Sequence, residues 1–311
     1  MPQISGRRQP ARIGARRRNF GLMDAGDPNA GGAHFDAPLL LNRYQPVELL
    51  ARGSTALVFR CRDEVLSRDV AVKHFNGFAD ESVEAFREEV RVLARLNHHG
   101  IVAINDAGID RSSPDEPHPF LVMEYVQGKT LREALGERQL STTEIGELAF
   151  EAAEALEYVH AQGVIHRDIT PSNIMLVNYG TTSSRTRARL TDFGIAIPVG
   201  TEQVRGAPTM GTAAYISPEQ ARSQSLTPAA DIYSLGLVIL ECFTREIAFP
   251  GDRVQSAMAR LDAGPPIPDS APGVWRDIIE RLTASDPDAR PAAAEVAKEI
   301  RLTLRNSGRH I

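Results

Sequence analysis

His166-Arg-Asp-Ile-Thr-Pro-Ser-Asn173 is the stretch of this 311-residue chain that decides its fold. An isolated His-Arg-Asp triplet is common, but the same triplet with an asparagine five residues after its aspartate is not. Twenty-four residues after Asp168, the chain reads Thr191-Asp-Phe-Gly-Ile195. Asp-Phe-Gly alone predicts only a turn. The order and spacing of the two strings are therefore more informative than either string alone.

The chain before these strings has the pattern of β-strands, and most of the chain after Gly128 has the pattern of helices. An amphipathic run with Phe86 and Val90 on its apolar face predicts a helix over Glu81–Leu96. Alternating apolar runs predict strands at Val47–Ala51, Ala56–Cys61, Asp69–Lys73, Ile101–Ile109 and Phe120–Glu124. Helical spacing recurs at Leu148–Val159, Ile232–Phe243, Trp275–Leu282 and Ala292–Leu302. This order predicts a small β-rich lobe followed by a larger helical lobe.

Composition narrows the class of protein. With 42% hydrophobic residues, the chain can bury a sizeable core. The longest apolar run, Ile232–Leu240, is interrupted by Ser234 and Gly236 and is shorter than the ~18–20 residues of a membrane span. We therefore expect no transmembrane segment. Two distant cysteines, Cys61 and Cys242, predict neither a disulfide framework nor a zinc cluster, so a cytoplasmic location is expected.

Residues 1–40 are predicted to be an unfolded tail. The first 18 residues carry six arginines and no acid, and Asp24–Ala33 has few large apolar side chains. Removing those six charges from the net charge of −5 leaves −11 for residues 19–311, which argues against nucleic acid as a partner of the body of the chain. The tail itself either contacts anionic lipid, nucleic acid or an acidic partner, or is simply solvated. A start at Met23 is a further alternative.

The two quoted strings, together with Ala51–Val58 and Val70–Lys73, occur in a fixed order. In that order they resemble the eukaryotic-like (Hanks-type) serine/threonine protein kinases, especially the bacterial branch. The resemblance covers residues 44–305. It implies an α+β, two-lobed fold with a β-rich N-lobe over 44–126 and a mainly helical C-lobe over 127–305.

The resemblance also assigns roles in the catalytic stretch. Asp168 would accept or orient the proton of the attacking hydroxyl, while Asn173 and Asp192 would bind Mg²⁺ or Mn²⁺. Thr170 stands where serine/threonine kinases usually have a lysine. A hydroxyl brings no charge to the transferring phosphoryl group, so we expect weaker transition-state stabilisation.

The ATP site is implied by the N-terminal segments. Lys73 would hold the α- and β-phosphates in a pair with Glu89, which the apolar face of its helix favours over Glu88. In the glycine-rich hairpin only Gly53 is kept, since alanines replace the flanking glycines. The other ATP-binding residues that the resemblance implies are Ala51, Ala56, Val58, Ala71, Met123 as gatekeeper, Glu124, Val126 and Met175.

The stretch after Asp192 resembles an activation segment. Thr212 fits the threonine that helps to define the hydroxyl-accepting site. Thr201 and Thr209 are candidate phosphorylation sites, and a phosphate on either could pair with Arg167. The sequence does not choose between the two.

Three residues are implied to be architectural. Glu219 and Arg290 fit a buried ion pair beneath the substrate platform. Asp231 would accept backbone N–H groups of the catalytic loop.

The resemblance implies a serine/threonine protein kinase that uses Mg-ATP, acts on protein substrates and phosphorylates itself through self-association. Ile195 hints at threonine over serine. One alternative is a pseudokinase that acts as a nucleotide-binding scaffold, which Ala51, Ala56 and Thr170 would favour. Another is a small-molecule kinase, a class that generally lacks a peptide platform such as Gly211–Glu219.

Overall fold

The computed structural model describes residues 39–53, 55–76, 80–111, 117–180, 185–193, 212–269 and 271–307. The predicted tail lies outside the described residues except for its last two positions. Within the described ranges, no helix is both long enough and apolar enough to cross a lipid bilayer.

A five-stranded antiparallel sheet forms the N-terminal lobe. Its strands are β1 (Tyr44–Arg52), β2 (Ala56–Asp63), β3 (Arg68–Phe75), β4 (Ile104–Asp110) and β5 (His118–Glu124), and helix α1 (Asp80–Leu93) joins β3 to β4. The order across the sheet is β1-β2-β3-β5-β4. The predicted strands and the predicted helix are confirmed, although β4 begins three residues later and α1 ends three residues earlier than expected.

Strand β3 places Lys73 by the alternation of its side chains. Val72 is fully buried in a cluster with Phe120 on one face of the sheet. Because successive side chains of a strand point to opposite faces, Lys73 and Phe75 share the other face. There, Phe75 meets Phe86 of α1 in an edge-to-face contact, with ring centroids 5.7 Å apart. Lys73 therefore lies on the side of the sheet that α1 covers.

The C-terminal lobe is helical and has a small sheet of its own. Its helices are α2 (Leu131–Glu137), α3 (Thr142–Ala161), α4 (Pro218–Ala221), α5 (Ala229–Thr244), α6 (Arg253–Asp262), α7 (Gly273–Leu282) and α8 (Ala293–Ser307). The strands β6 (Gly128–Thr130), β7 (Ile174–Val177) and β8 (Arg187–Leu190) pair antiparallel in that order. The four predicted helices are confirmed in α3, α5, α7 and α8. The sequence pattern misses the short strands, because three or four residues show no clear period.

Helix α5 is the centre of this lobe and is buried on every side. Its residues are buried from Ala230 through Cys242, as expected for a helix that is packed all round. The chain of α7 approaches it at Gly236, where an added Cβ would lie 2.9 Å from the Cβ of Leu282 and 2.7 Å from Cγ2 of Thr283. The interrupted apolar run of the sequence is therefore a core helix.

Replacing Gly236 by alanine is expected to destabilise the fold by about 1–3 kcal/mol, because the added methyl group overpacks the contact with α7. Helix propensity alone would predict the opposite sign, since alanine is the better helix former. Gly136→Ala in α2 is the matched control, because a Cβ there would have nothing within 4 Å. Urea denaturation measures both. A Gly236→Ala protein as stable as the Gly136→Ala protein would contradict this packing.

Candidate active site

The loop between α3 and β7 is held in place by one buried carboxylate. Asp231, in the first turn of α5, accepts the backbone N–H of His166 on Oδ2 and that of Arg167 on Oδ1, both at 2.8 Å. Nε2 of His160 lies 2.8 Å from the same Oδ2. The prediction that Asp231 accepts N–H groups of this loop is confirmed.

Arg167 needs such support because its backbone is left-handed, with φ of 69°. A non-glycine residue in this region costs on the order of 1–3 kcal/mol. Hydrogen bonds from N–H groups to an ionised acceptor are stronger than neutral ones. The Asp231 carboxylate therefore offsets the strain where the chain turns into Asp168.

Asp168 and Asn173 are joined directly. The Nδ2 group of Asn173 donates to the backbone O and to the Oδ2 of Asp168, both at 2.8 Å. A short 3-10 turn, Pro171–Asn173, brings the two together, and its first bond runs from the N–H of Asn173 to the O of Thr170 at 3.0 Å. Thr170 is buried and precedes this turn with extended backbone.

His166 connects this loop to the Thr191–Phe193 strand end. Its ring is fully buried, and burial lowers its pKa, so the neutral form is favoured. A neutral ring with its proton on Nε2 donates to the O of Thr191 at 3.1 Å and accepts the N–H of Asp168 on Nδ1 at 3.4 Å. The ring of Phe193 lies against it, with centroids 4.5 Å apart. One imidazole thus fixes the two quoted strings to each other.

Lys73 reaches across to this strand end. Its Nζ lies 3.1 Å from Oδ1 of Asp192, and neither side chain is more than about a quarter exposed. Asp192 also has left-handed backbone, with φ of 56°. The structure therefore places the predicted phosphate-binding lysine beside one of the two predicted metal ligands.

The donor set of these residues fits a hard divalent cation. Because Nδ2 of Asn173 is engaged twice by Asp168, its side-chain oxygen is the atom left to bind a cation. Asp192 supplies carboxylate oxygens. Mg²⁺ and Mn²⁺ prefer such oxygen donors.

The acid that partners Lys73 stays a prediction. Glu88 is mostly exposed and hydrogen-bonds Arg91 on the surface of α1. Glu89 is partly buried on the same helix. These positions agree with the choice of Glu89 from the apolar face, while Nζ of Lys73 forms an ion pair with Asp192.

The predicted phosphate loop is the hairpin between β1 and β2. Ala51 pairs with Val58 in the strand register, and the N–H of Gly53 donates to the O of Ala56 at 2.9 Å. A Cβ on Gly53 would lie 3.3 Å from that same oxygen, closer than most Cβ contacts. Glycine therefore suits this tight turn.

The predicted adenine-binding residues lie on strands of both lobes and in the connection between the lobes. Ala71 is opposite Met123 across β3 and β5, and Met175 lies on β7. The N–H of Glu124 already donates to the O of Ala103 at 2.9 Å, so its carbonyl oxygen is the backbone group left to accept from a base. Val126 lies in the connection between β5 and β6.

The predicted ion pair beneath the platform is confirmed. Arg290 binds Glu219 in bidentate fashion, at 2.7 and 2.9 Å, and its guanidinium is fully buried. Burial is the largest single influence on Glu219 and raises its pKa. The hydrogen bonds and charge of Arg290, together with hydrogen bonds from its own backbone N–H and from Ser217, outweigh burial, so the pKa is lowered. The side chain of Gln220 donates to the O of Arg167 at 3.1 Å, which links the platform to the catalytic loop.

Part of the activation segment lies outside the described residues. The candidate phosphorylation sites Thr201 and Thr209 and the residue Ile195 fall there. Thr212 begins a short 3-10 turn, Thr212–Ala214, and its side chain is likewise not described.

Sequence reasoning missed Arg189, on β8. Its guanidinium binds Glu124 in bidentate fashion, at 2.6 and 2.7 Å, and also donates to the O of Ile101 at 2.7 Å. Arg189 is buried, and its bonds join β5, the loop after α1 and the strand that leads to Asp192. The available signal was a charged residue between the apolar residues Ala188 and Leu190.

These features define a protein kinase domain. A family model of the protein kinase domain matches residues 44–300, so the chain belongs to the protein kinase family.

Curated relatives narrow the comparison to bacterial enzymes. The chain is 37% identical over 274 residues to serine/threonine-protein kinase PknB of Mycobacterium tuberculosis. The aligned region covers 84% of this chain and 43% of PknB. It is 37% identical over 275 residues to PknB of Mycobacterium leprae, covering 85% of this chain and 43% of that protein. Serine/threonine-protein kinase PknA of Mycobacterium tuberculosis is 36% identical over 258 residues, covering 81% of this chain and 58% of PknA. The chain thus spans about half the length of the curated relatives it matches.

Replacing Asp231 by asparagine is expected to lower the free energy of unfolding by about 2–4 kcal/mol. Asparagine has a single side-chain oxygen, so its NH₂ group would face a backbone N–H donor. Chemical denaturation measures the loss. Asp262→Asn, at an exposed position at the end of α6, is the control. Equal stability of the two variants would show that the loop does not depend on Asp231.

Arg189→Met is expected to remove a pH-dependent part of the stability. Hydrogen bonds from Arg189 lower the pKa of Glu124 below its ordinary 4.5, although burial opposes them. A lowered folded pKa contributes stability above the unfolded pKa, and that stability is lost as the pH falls through the folded value. The stability difference between wild type and variant should therefore shrink as the pH falls from about 5 to about 3. A difference that is constant over this range would contradict the assignment.

Proposed function

We propose that this chain is an active serine/threonine protein kinase, which transfers the γ-phosphoryl group of ATP to hydroxyl groups of proteins. The proposal depends on two contacts at the end of β8. Asn173 is hydrogen-bonded to Asp168, and Lys73 forms an ion pair with Asp192. The relatives PknB and PknA are named as serine/threonine-protein kinases, which supports the proposal. Membership of the kinase family supports the use of ATP with a divalent cation.

The reaction is an in-line displacement. The oxygen of the acceptor hydroxyl forms a bond to the γ-phosphorus while the bond to the β–γ bridging oxygen breaks, and ADP leaves. Asp168 orients the hydroxyl and takes its proton, and Asn173 holds the Asp168 carboxylate through the bond to Oδ2. Lys73 supplies positive charge to the α- and β-phosphates. A divalent cation held by Asn173 and Asp192 would neutralise phosphate charge.

Thr170 is expected to affect the rate of phosphoryl transfer. Its hydroxyl can donate one hydrogen bond to the transferring phosphoryl group but brings no positive charge. We expect slower transfer than in kinases that have lysine at this position. Magnesium is the proposed cation, and manganese is the second choice.

The pseudokinase alternative has less support. It rests on Ala51, Ala56 and Thr170, whereas the acid, the lysine and both proposed metal ligands are present. The small-molecule alternative is opposed by the platform, whose base is fixed by the Glu219–Arg290 pair.

The proposal also includes how the kinase is regulated and where in the cell it acts. Phosphorylation of Thr201 or Thr209 by a second copy of the chain would place a phosphate where Arg167, an exposed residue, can bind it. Cys61 and Cys242 are free and buried, which suits a reducing, cytoplasmic compartment.

The test is transfer of label from γ-labelled ATP to a histone acceptor, with Mg²⁺ and separately with Mn²⁺. Asp168→Asn should lower the rate by at least about 10²-fold, because it removes the proton acceptor. Asp262→Asn, on the surface of α6, should leave it unchanged. Acid hydrolysis of the product should yield phosphothreonine or phosphoserine.

Two outcomes would contradict the proposal. Absence of transfer by wild type, while ATP still raises the melting temperature, would favour the pseudokinase alternative. Equal transfer by Asp168→Asn would show that another group takes the proton.

A further inference from the structure

Helix α6 contains a buried arginine that binds the substrate platform. Arg260 is 2% exposed. Its Nη1 donates to the O of Ile216, and its Nη2 donates to the O of Ala213 at 2.6 Å and to Oγ of Ser256 at 2.7 Å. Its Nε donates to the O of Ser256 at 3.1 Å, and its guanidinium lies 4.8 Å from the ring centroid of Phe249.

The acceptors in these four hydrogen bonds are neutral oxygens. Burial lowers the pKa of Arg260 below its ordinary value, which reflects the cost of placing a cation there. A methionine or leucine would fill a buried site without that cost. The feature that only the guanidinium provides is simultaneous donation to the carbonyl groups of Ala213 and Ile216.

Those two carbonyl groups bracket the central turn of the platform. Between them, the backbone O of Tyr215 accepts from Oγ of Ser234 at 2.8 Å, and the phenol binds Glu241. The segment 213–216 is therefore held from α5 at its centre and from α6 at its ends. Ser256 reinforces the α6 side, because its Oγ donates to the O of Ala213 at 3.2 Å.

We propose that Arg260 is a positioning residue for the protein substrate, which sets the backbone of Ala213–Ile216 so that the acceptor peptide lies in register with Asp168. The inference rests on the proposed function. The platform is coupled to the catalytic loop through the bond from Gln220 to Arg167, so a shift of the segment misplaces the acceptor hydroxyl. Arg260 hydrogen-bonds residues of α6 and of the platform and also interacts with Tyr233 of α5. None of these is a proposed ATP-binding residue, so ATP binding does not depend on Arg260.

The variants are graded by the bonds that they remove. Arg260→Met keeps the apolar volume and removes every donor. Arg260→Lys keeps the charge but cannot reach both carbonyl groups with one fork, and Ser256→Ala removes only the bonds of the hydroxyl. Arg253→Met, at an exposed position on the same helix, is the matched control.

The experiment measures KM for a histone acceptor, KM for ATP and the active fraction of each folded variant. Arg260→Met should raise the acceptor KM about tenfold, with a smaller rise for Arg260→Lys and Ser256→Ala, because misplacing a reacting group is costly. The ATP KM should stay within about twofold of wild type. Arg253→Met should match wild type in both constants.

A purely structural role would lower the active fraction and leave both KM values unchanged. That result in Arg260→Lys and Ser256→Ala would overturn the proposal, even if Arg260→Met does not fold. A parallel rise of the ATP KM would also overturn it. A wild-type protein that transfers no phosphate would instead contradict the proposed function itself, and the inference with it.

Discussion

The carboxylate of Asp231 is the constraint on which the active site depends. It lies in the first turn of a helix that is buried on all sides, so its position is fixed by the core of the C-terminal lobe. An acid in the first turn is also favoured by the helix dipole. It accepts two successive N–H groups of the catalytic loop and thereby fixes the loop to the core of the lobe.

The active site contains two residues with strained backbone and a buried histidine that hydrogen-bonds the segments on which they lie. Arg167 and Asp192 both have left-handed backbone, which is unusual for residues that carry a β-carbon. His166 lies between them and is neutral because it is buried, so one ring nitrogen donates to the strand end while the other accepts from the catalytic loop. A protonated imidazole could not do both. The catalytic loop and the Thr191–Phe193 segment are therefore held together by one side chain. Their joint occurrence in the sequence accordingly predicts a single site.

The sequence predicts the fold well wherever a local period or a long motif exists. The five N-lobe strands follow from alternation, and the buried helix around Gly236 follows from an apolar run too short to span a membrane. The roles of Asp231 and of the Glu219–Arg290 pair are implied by the family resemblance that the motifs carry. The short strands β6 to β8 do not, since segments of this length are stabilised by partners distant in the sequence.

The contacts that the sequence could not predict involve side chains that reach distant backbone. Arg189 binds Ile101, and Arg260 binds Ile216, through carbonyl groups that every residue has. No residue type marks such an acceptor, so the partner becomes evident only in three dimensions. The ion pair of Lys73 with Asp192 joins two side chains, and it was not predicted for a different reason: the motif pairs that lysine with Glu89.

The most direct test of the account is single-turnover phosphoryl transfer by wild type and Asp231→Asn, measured beside the affinity of each for ATP. If Asp231 acts by holding the catalytic loop, transfer should slow by about 10²-fold while the Kd for ATP stays unchanged. Equal transfer rates would contradict the account, and so would a loss of rate explained entirely by weaker ATP binding.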